Sequence, residues 1–204
     1  MPTFIRNVLV CFLLAIFTNA CTTVSPPSAP PLTQTWSDRA KRLNRIESWQ
    51  LTGKIAVRTQ QDSGSATLNW AENQGQYTIR LLGPLGAGGL KLSGHPGSVT
   101  LEQADGKRFS ARNPEELLLK QWGYHLPVSY LRYWIRGLPV PGIPERAELD
   151  AFHRISSLKQ QGFKVEFANY LRVGQVELPA RLTVITKGLN TTIVIHQWDL
   201  GSSR

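Results

Sequence analysis

From residue 49 onward, apolar side chains recur at every second position. Trp49, Leu51, Ile55 and Val57 alternate with Gln50, Thr52, Lys54 and Arg58. Ala66, Leu68 and Trp70 repeat the pattern, as do Tyr77, Ile79 and Leu81, then Leu90 and Leu92, then Val99 and Leu101. A period of two belongs to strands with one face buried. Turn residues separate the runs: Asp62-Ser63-Gly64, Asn73-Gln74-Gly75 and His95-Pro96-Gly97. Asp105-Gly106 is a two-residue hairpin signal before Phe109. The alternation resumes at Phe163, Val165 and Phe167, at Ala180, Leu182 and Val184, and at Ile193 and Ile195, with Trp198 as an extension. Short one-sided strands at this spacing predict an antiparallel meander, closed as a sandwich or a barrel.

Helical spacing interrupts the strands in three places. Trp36, Ala40, Leu43 and Ile46 share one helical face, with Ser37 or Asp38 near its start. Asn113-Pro114-Glu115-Glu116 supplies a cap, a proline at the first helical position and early acids, and Gly123 is the matching stop. Ser129 to Ile135 starts a shorter helix with Leu131, Trp134 and Ile135 on one side and Gly137 after it. Leu138 to Ile143 is a proline-glycine loop. The class is therefore α+β, mainly antiparallel β, with no internal repeat and no second-domain linker.

The first twenty residues read differently. Arg6 and the free amino terminus precede an apolar run, Val8 to Phe17, and small or polar Thr18-Asn19-Ala20 leads to Cys21. This is the order of a secretory signal peptide, and a cysteine at its end suggests a lipoprotein signal, with Cys21 acylated. An uncleaved anchor and plain secretion are the alternatives, but the run is half the roughly 20 residues a helix needs to span a bilayer. Thr18 stands where lipoprotein signals favour leucine, and the absence of Asp at position 22 leans towards the outer membrane. Thr22 to Thr35 holds Pro26, Pro27, Pro30 and Pro31 among small polar residues, the composition of an extended tether. The expected division is 1–20 signal, 21–35 lipidated cysteine and tether, 36–200 one folded domain, and 201–204 tail.

Composition narrows the chemistry. Cys11 leaves with the leader, so Cys21 is the single cysteine of the mature chain; an intramolecular disulfide and a CxxC site are excluded, and no thiol nucleophile remains once Cys21 is acylated. Arg6 leaves too, so 22 basic residues face 14 acidic ones, a net +8. The basic residues are scattered, without a long run. In an exported protein they suit an ordinary solvated surface, an anionic membrane or an acidic protein partner before nucleic acid. His95, His125, His153 and His196 are dispersed, with no ligand spacing, so no metal is expected. No nucleophile motif, phosphate loop or dinucleotide fingerprint is present, which argues against an enzyme or a bound cofactor.

Two features remain. Gly83-Pro84-Leu85-Gly86-Ala87-Gly88-Gly89 sets one large apolar side chain, Leu85, in a backbone-dominated loop. Leu85 either folds back onto a barrel rim or stands exposed as an apolar tip. Six tryptophans, at 36, 49, 70, 122, 134 and 198, are many for this length. They either fill a core or line an apolar cavity, for which Trp49, Leu68, Trp70 and Trp134 are the candidate lining residues.

Taken in order, these pieces resemble the LolB family of outer-membrane lipoprotein receptors. The residues that carry the resemblance are Leu81-Leu82-Gly83-Pro84-Leu85-Gly86, Pro96-Gly97, Pro127-Val128-Ser129-Tyr130-Leu131-Arg132-Tyr133-Trp134-Ile135-Arg136-Gly137-Leu138-Pro139, a late Pro179-Ala180, and Trp198. The resemblance implies a single incompletely closed antiparallel barrel of about eleven strands with short helices over an apolar cavity, as in LolA and LolB proteins. It implies acceptance of lipoprotein acyl chains from the periplasmic chaperone LolA, then insertion into the inner leaflet of the outer membrane, without enzymatic chemistry. It also implies that Leu85 matches the leucine on which that release depends. On this reading the protein is a monomer, lipid-anchored at the outer membrane and facing the periplasm. The alternatives are an anchored binder of free lipid without insertion activity, an exported hydrolase, and a structural lipoprotein.

Overall fold

The computed structural model describes residues 32–86, 88–123 and 125–201. The expected signal, Cys21, residues 22–31 of the tether, Ala87 and the last three residues of the tail lie outside the described residues. Helix α1 (Trp36–Asn44) comes first, followed by β1 (Ser48–Thr59), β2 (Ser63–Asn73), β3 (Gln76–Leu82), β4 (Gly89–His95), β5 (Ser98–Gln103) and β6 (Arg108–Ala111). Helices α2 (Pro114–Trp122) and α3 (Val128–Trp134) precede β7 (Glu145–Leu149), β8 (Ile155–Gln160), β9 (Phe163–Val173), β10 (Val176–Thr186) and β11 (Leu189–Asp199).

All eleven strands form one antiparallel sheet in the order β6-β5-β4-β3-β2-β1-β11-β10-β9-β8-β7. Neighbours in space are neighbours in sequence except at β1 and β11, which pair and bring the two ends of the domain together. The edge strands β6 and β7 are not paired with each other, so the barrel is incompletely closed. The alternation decides which face turns in. In register, Leu51, Trp70 and Ile79 stand beside one another, as do Ile55, Ala66 and Ile193. Gly53 marks the one irregularity between β1 and β11, where a Cβ would lie 2.1 Å from the Val194 carbonyl oxygen, so only glycine permits the approach.

Helix α1 is capped by the Thr35 hydroxyl, which accepts from the Asp38 N–H at 3.2 Å; the cap is thus two residues earlier than Ser37. Helix α2 follows the sequence reading closely. The Asn113 side chain accepts from the Glu116 N–H at 2.8 Å, Pro114 opens the helix, and Gly123 closes it at φ 73°. Strands β7 and β8 were not legible as alternation. β7 is an edge strand exposed at every position, and β8 buries Ile155, Leu158 and Gln160 at irregular spacing. No helix among the described residues is long and apolar enough to cross a membrane.

Candidate functional site

The inner face of β1–β5 and β11 meets α2, the segment after it, and α3 across an apolar cavity. Its narrow deep part, about 60 Å³, lies among Leu68, Trp70, Ile79, Leu101, Leu118 and Leu131. A wider part of about 270 Å³ adjoins it and shares the walls Ile55, Leu81, Leu90, Leu118, Trp122 and Leu126. This outer part opens at Thr59, Asp62 and Ser63 of the β1–β2 turn and at Leu189 after the β10–β11 turn. Strand direction puts the β3–β4 connection at the same end of the barrel, since β3 runs antiparallel to β2 and ends with Leu82 beside Thr67. The Leu85 backbone lies there, in a single 3-10 turn, Pro84–Gly86.

Of the candidate lining residues, Leu68 and Trp70 stand on the cavity wall. Trp49 and Trp134 are placed elsewhere. Trp49 packs between Trp70 and Trp198, with ring centroids 5.3 and 5.4 Å away. Trp134 is wholly buried between Tyr130 and Phe163, and its Nε1–H donates to Gln160 Oε1 at 3.0 Å. Trp122 and Leu126 are wall residues that the alternation did not single out. The signal was present in the i, i+4 spacing of Leu118 and Trp122 on α2.

The wall is almost free of polar atoms, and two that are buried there lack a hydrogen-bond partner: Trp70 Nε1 and Thr191 Oγ1. Such a lining favours hydrocarbon over water or ions. No group of three or more His, Cys, Asp or Glu side chains among the described residues is arranged to hold a metal ion.

The two helices of the cover are held very differently. Helix α3 is bound on several sides. Arg132 grips both oxygens of Glu72 on β2, with Nε at 3.0 Å. Burial raises the Glu72 carboxyl above the usual range, against the opposing pull of Arg132 and Arg136. Arg136, just past α3, donates to the Leu43 and Ile46 carbonyls at 3.2 and 2.8 Å and so ties this segment to the end of α1. Gln160 accepts from Trp134 and Val140 and donates to the Val140 and Ile143 carbonyls, which leaves its amide satisfied. Among the described residues, the polar link from α2 to α3 runs through Glu115, which accepts from the Ser129 N–H and hydroxyl at 2.8 and 3.1 Å. Leu117 and Leu118 of α2 are buried, and Leu119 is exposed.

Known proteins are similar to this chain in sequence or in fold. The family described as outer membrane lipoprotein LolB matches residues 47–198. An outer-membrane lipoprotein LolB of Pseudomonas aeruginosa is 44% identical over 166 residues, covering 81% of each chain. That of Pseudomonas syringae pv. syringae is 39% identical over 198 residues, 96% of this chain and 97% of the relative. Among solved structures, a LolA superfamily protein from Nitrosomonas europaea superposes with a TM-score of 0.51 at 10% identity, covering 84% of this chain and 96% of its own, a likeness of fold alone. Sequence identity, span and fold agree: the chain belongs to the LolB family of outer-membrane lipoproteins.

Proposed function

We propose that this protein is an outer-membrane lipoprotein receptor, which takes lipoproteins from a LolA-type periplasmic chaperone and inserts them into the inner leaflet of the outer membrane. The observation that carries the reading is one apolar cavity whose mouth lies at the same barrel end as the Leu85 loop. Cys21 carries the acyl anchor, the segment after it is the tether, and the folded domain works as a monomer facing the periplasm. No bond is made or broken and no cofactor or nucleic acid takes part.

Transfer follows from burial. Each CH₂ exposed to water costs roughly 0.8 kcal/mol, so acyl chains pass from one apolar cavity to the next with the mouths apposed. The two adjoining parts together only just reach the lower end of the roughly 300–1,000 Å³ of ordinary drug-sized ligand sites, so for cargo carrying several acyl chains the described conformation is a closed one. Accepting acyl chains displaces the cover, and the weakly tied α2 is the piece that yields. Release is the reverse step at a bilayer, where Leu85 enters the membrane and gives the chains an apolar path outward. Burying one leucine contributes roughly 1.5–3 kcal/mol, suited to transient contact.

The test is Leu85→Glu, scored separately for transfer from chaperone to receptor and for insertion into vesicles. Transfer is expected to persist and insertion to fall at least tenfold. Normal insertion by this variant rejects the role of Leu85. A parent chain that retains lipid without inserting any cargo instead identifies a pure lipid binder.

A further inference from the structure

Along one stretch of the barrel exterior, the assembled sheet groups exposed charges of a single sign. Alternation that turns Ile79 and Leu81 inward turns Arg80 and Leu82 outward. Across the β3–β4 pairing, Arg80 stands directly opposite Lys91, and Leu82 opposite Gly89. Neither Arg80 nor Lys91 takes part in a salt bridge among the described residues; Glu102, beside Lys91 on β5, is engaged by Arg108 at 3.5 Å. Over β11 and β1 to β4, the exposed charged strand positions are Lys54, Arg58, Arg80, Lys91 and, at the end far from the Leu85 loop, Asp199. The charged strand positions in the mouth-side half of this face are therefore all cationic, and an exposed acid at that end, Asp62, lies in the β1–β2 turn.

Like charges directly opposite one another on neighbouring strands oppose folding. The sequence keeps such a pair at one place on this face, two residues behind an outward leucine. Leu82 is 42% exposed and leads directly into Gly83-Pro84-Leu85. At about 3.4 Å per residue, Arg80 and Lys91 stand roughly 7 Å behind Leu82 along the strands, and their long stems let the charges reach forward or back. An apolar tip with cations one step behind it matches the layering of a bilayer surface, hydrocarbon under phosphate. A folded acidic partner would match the charges and leave Leu82 unexplained.

We infer that the outer face of β1–β4, centred on Arg80 and Lys91, docks on an anionic phospholipid surface, with Leu82 at the headgroup boundary and the Leu85 loop leading. The inference rests on the insertion reading above and adds which face meets the membrane and which lipids it selects. Charge attraction sets the tilt of the barrel, so that the mouth meets the same patch of bilayer that Leu85 enters.

The test uses the whole mature chain, residues 21–204, carrying Cys21→Ala, so that membrane contact is read without the anchor. Binding to vesicles of phosphatidylethanolamine with and without phosphatidylglycerol is measured by flotation at roughly 0.1 and 1 M salt. The parent is expected to prefer the anionic vesicles at low salt and to lose that preference at high salt. Arg80→Thr/Lys91→Thr should bind anionic vesicles about 30-fold more weakly, at roughly 1 kcal/mol per surface cation, and still accept cargo from the chaperone. Its melting temperature should equal or exceed the parent's, because the opposed charges are gone. If the double variant folds poorly, Arg80→Thr alone carries the test with about a fivefold loss. A charge-matched control, Arg146→Thr/Arg172→Thr, should bind like the parent. Undiminished anionic preference in the Arg80 and Lys91 variants overturns the inference, as does intact vesicle binding with lost chaperone transfer, which would assign this face to a protein partner. Vesicle binding is read without cargo, so failure of insertion by the parent would reject the receptor reading separately.

Discussion

At the scale of single residues, the cavity wall holds two polar atoms that the fold does not satisfy. Thr191 is fully buried, sits on β11 between Val57 and Val184, and leaves Oγ1 without a partner. A buried hydroxyl without a hydrogen bond costs about 1–3 kcal/mol, and valine has nearly the same shape and a strong strand preference. Thr191→Val is therefore expected to raise stability by about 1 kcal/mol, read as a higher urea midpoint at unchanged slope. A lower midpoint would mean that the hydroxyl is satisfied by water or cargo. The tryptophans show why residue type alone did not identify a lining. Trp49 and Trp70 both point inward from paired strands, yet Trp70 faces the cavity and Trp49 is wedged between two other indoles. Both settings demand a large apolar ring, so the choice lies in the neighbours.

At the scale of elements, local rules are strong enough to place α2 from its own residues. Its cap, its proline and its terminal glycine each act within a few positions. The difference between α2 and α3 was not legible, because it is made by partners far away in sequence: Glu72 for Arg132, Leu43 and Ile46 for Arg136, and Gln160 for Trp134. These contacts make α3 a fixed post and leave Glu115 to Ser129 as the latch on α2. If an open cover is the state competent to bind, loosening the latch raises its population and so the apparent affinity for apolar ligands. Glu115→Ala is expected to bind an environment-sensitive naphthylamine dye a few-fold more tightly, each lost charged hydrogen bond being worth about 1.5–3 kcal/mol before water replaces it. Unchanged dye affinity at unchanged fold would show that α2 is not the moving piece. The edge strand β7 was invisible for the opposite reason: with every residue exposed, it carries no apolar alternation, and hydrogen bonds to β8 alone define it.

At the scale of the whole molecule, the two ends of the barrel are distinct. The turns at the cavity mouth and the Leu85 loop share one end. The chain enters at the other, where the Leu32 N–H donates to Glu177 at 3.3 Å and Arg39 makes a buried ion pair with the same carboxylate at 2.9 Å. Glu177 also meets Arg154 at 3.1 Å, so a compact charge cluster holds the entry of the chain against β10. The first described residues thus join the domain at the end opposite the mouth. Cys21→Ala is expected to leave chaperone-to-receptor transfer within about twofold of the parent, since no element of the mouth is altered, while insertion loses its preference for the outer membrane. Transfer and membrane distribution, followed together, check this. Loss of transfer in a folded Cys21→Ala chain would tie the anchor to acceptance.

The sequence by itself determined the class of the fold, the face each alternating strand buries, the limits of α2 and the family, because alternation, caps, turns and motifs are written in neighbouring residues. Tertiary structure alone decided which tryptophans border open space, which helix is held by polar contacts from several sides, and that four cations distant in sequence share one face. Each of those depends on pairing between segments distant in sequence: Arg80 and Lys91 are eleven positions apart along the chain, and only the β3–β4 register sets them side by side.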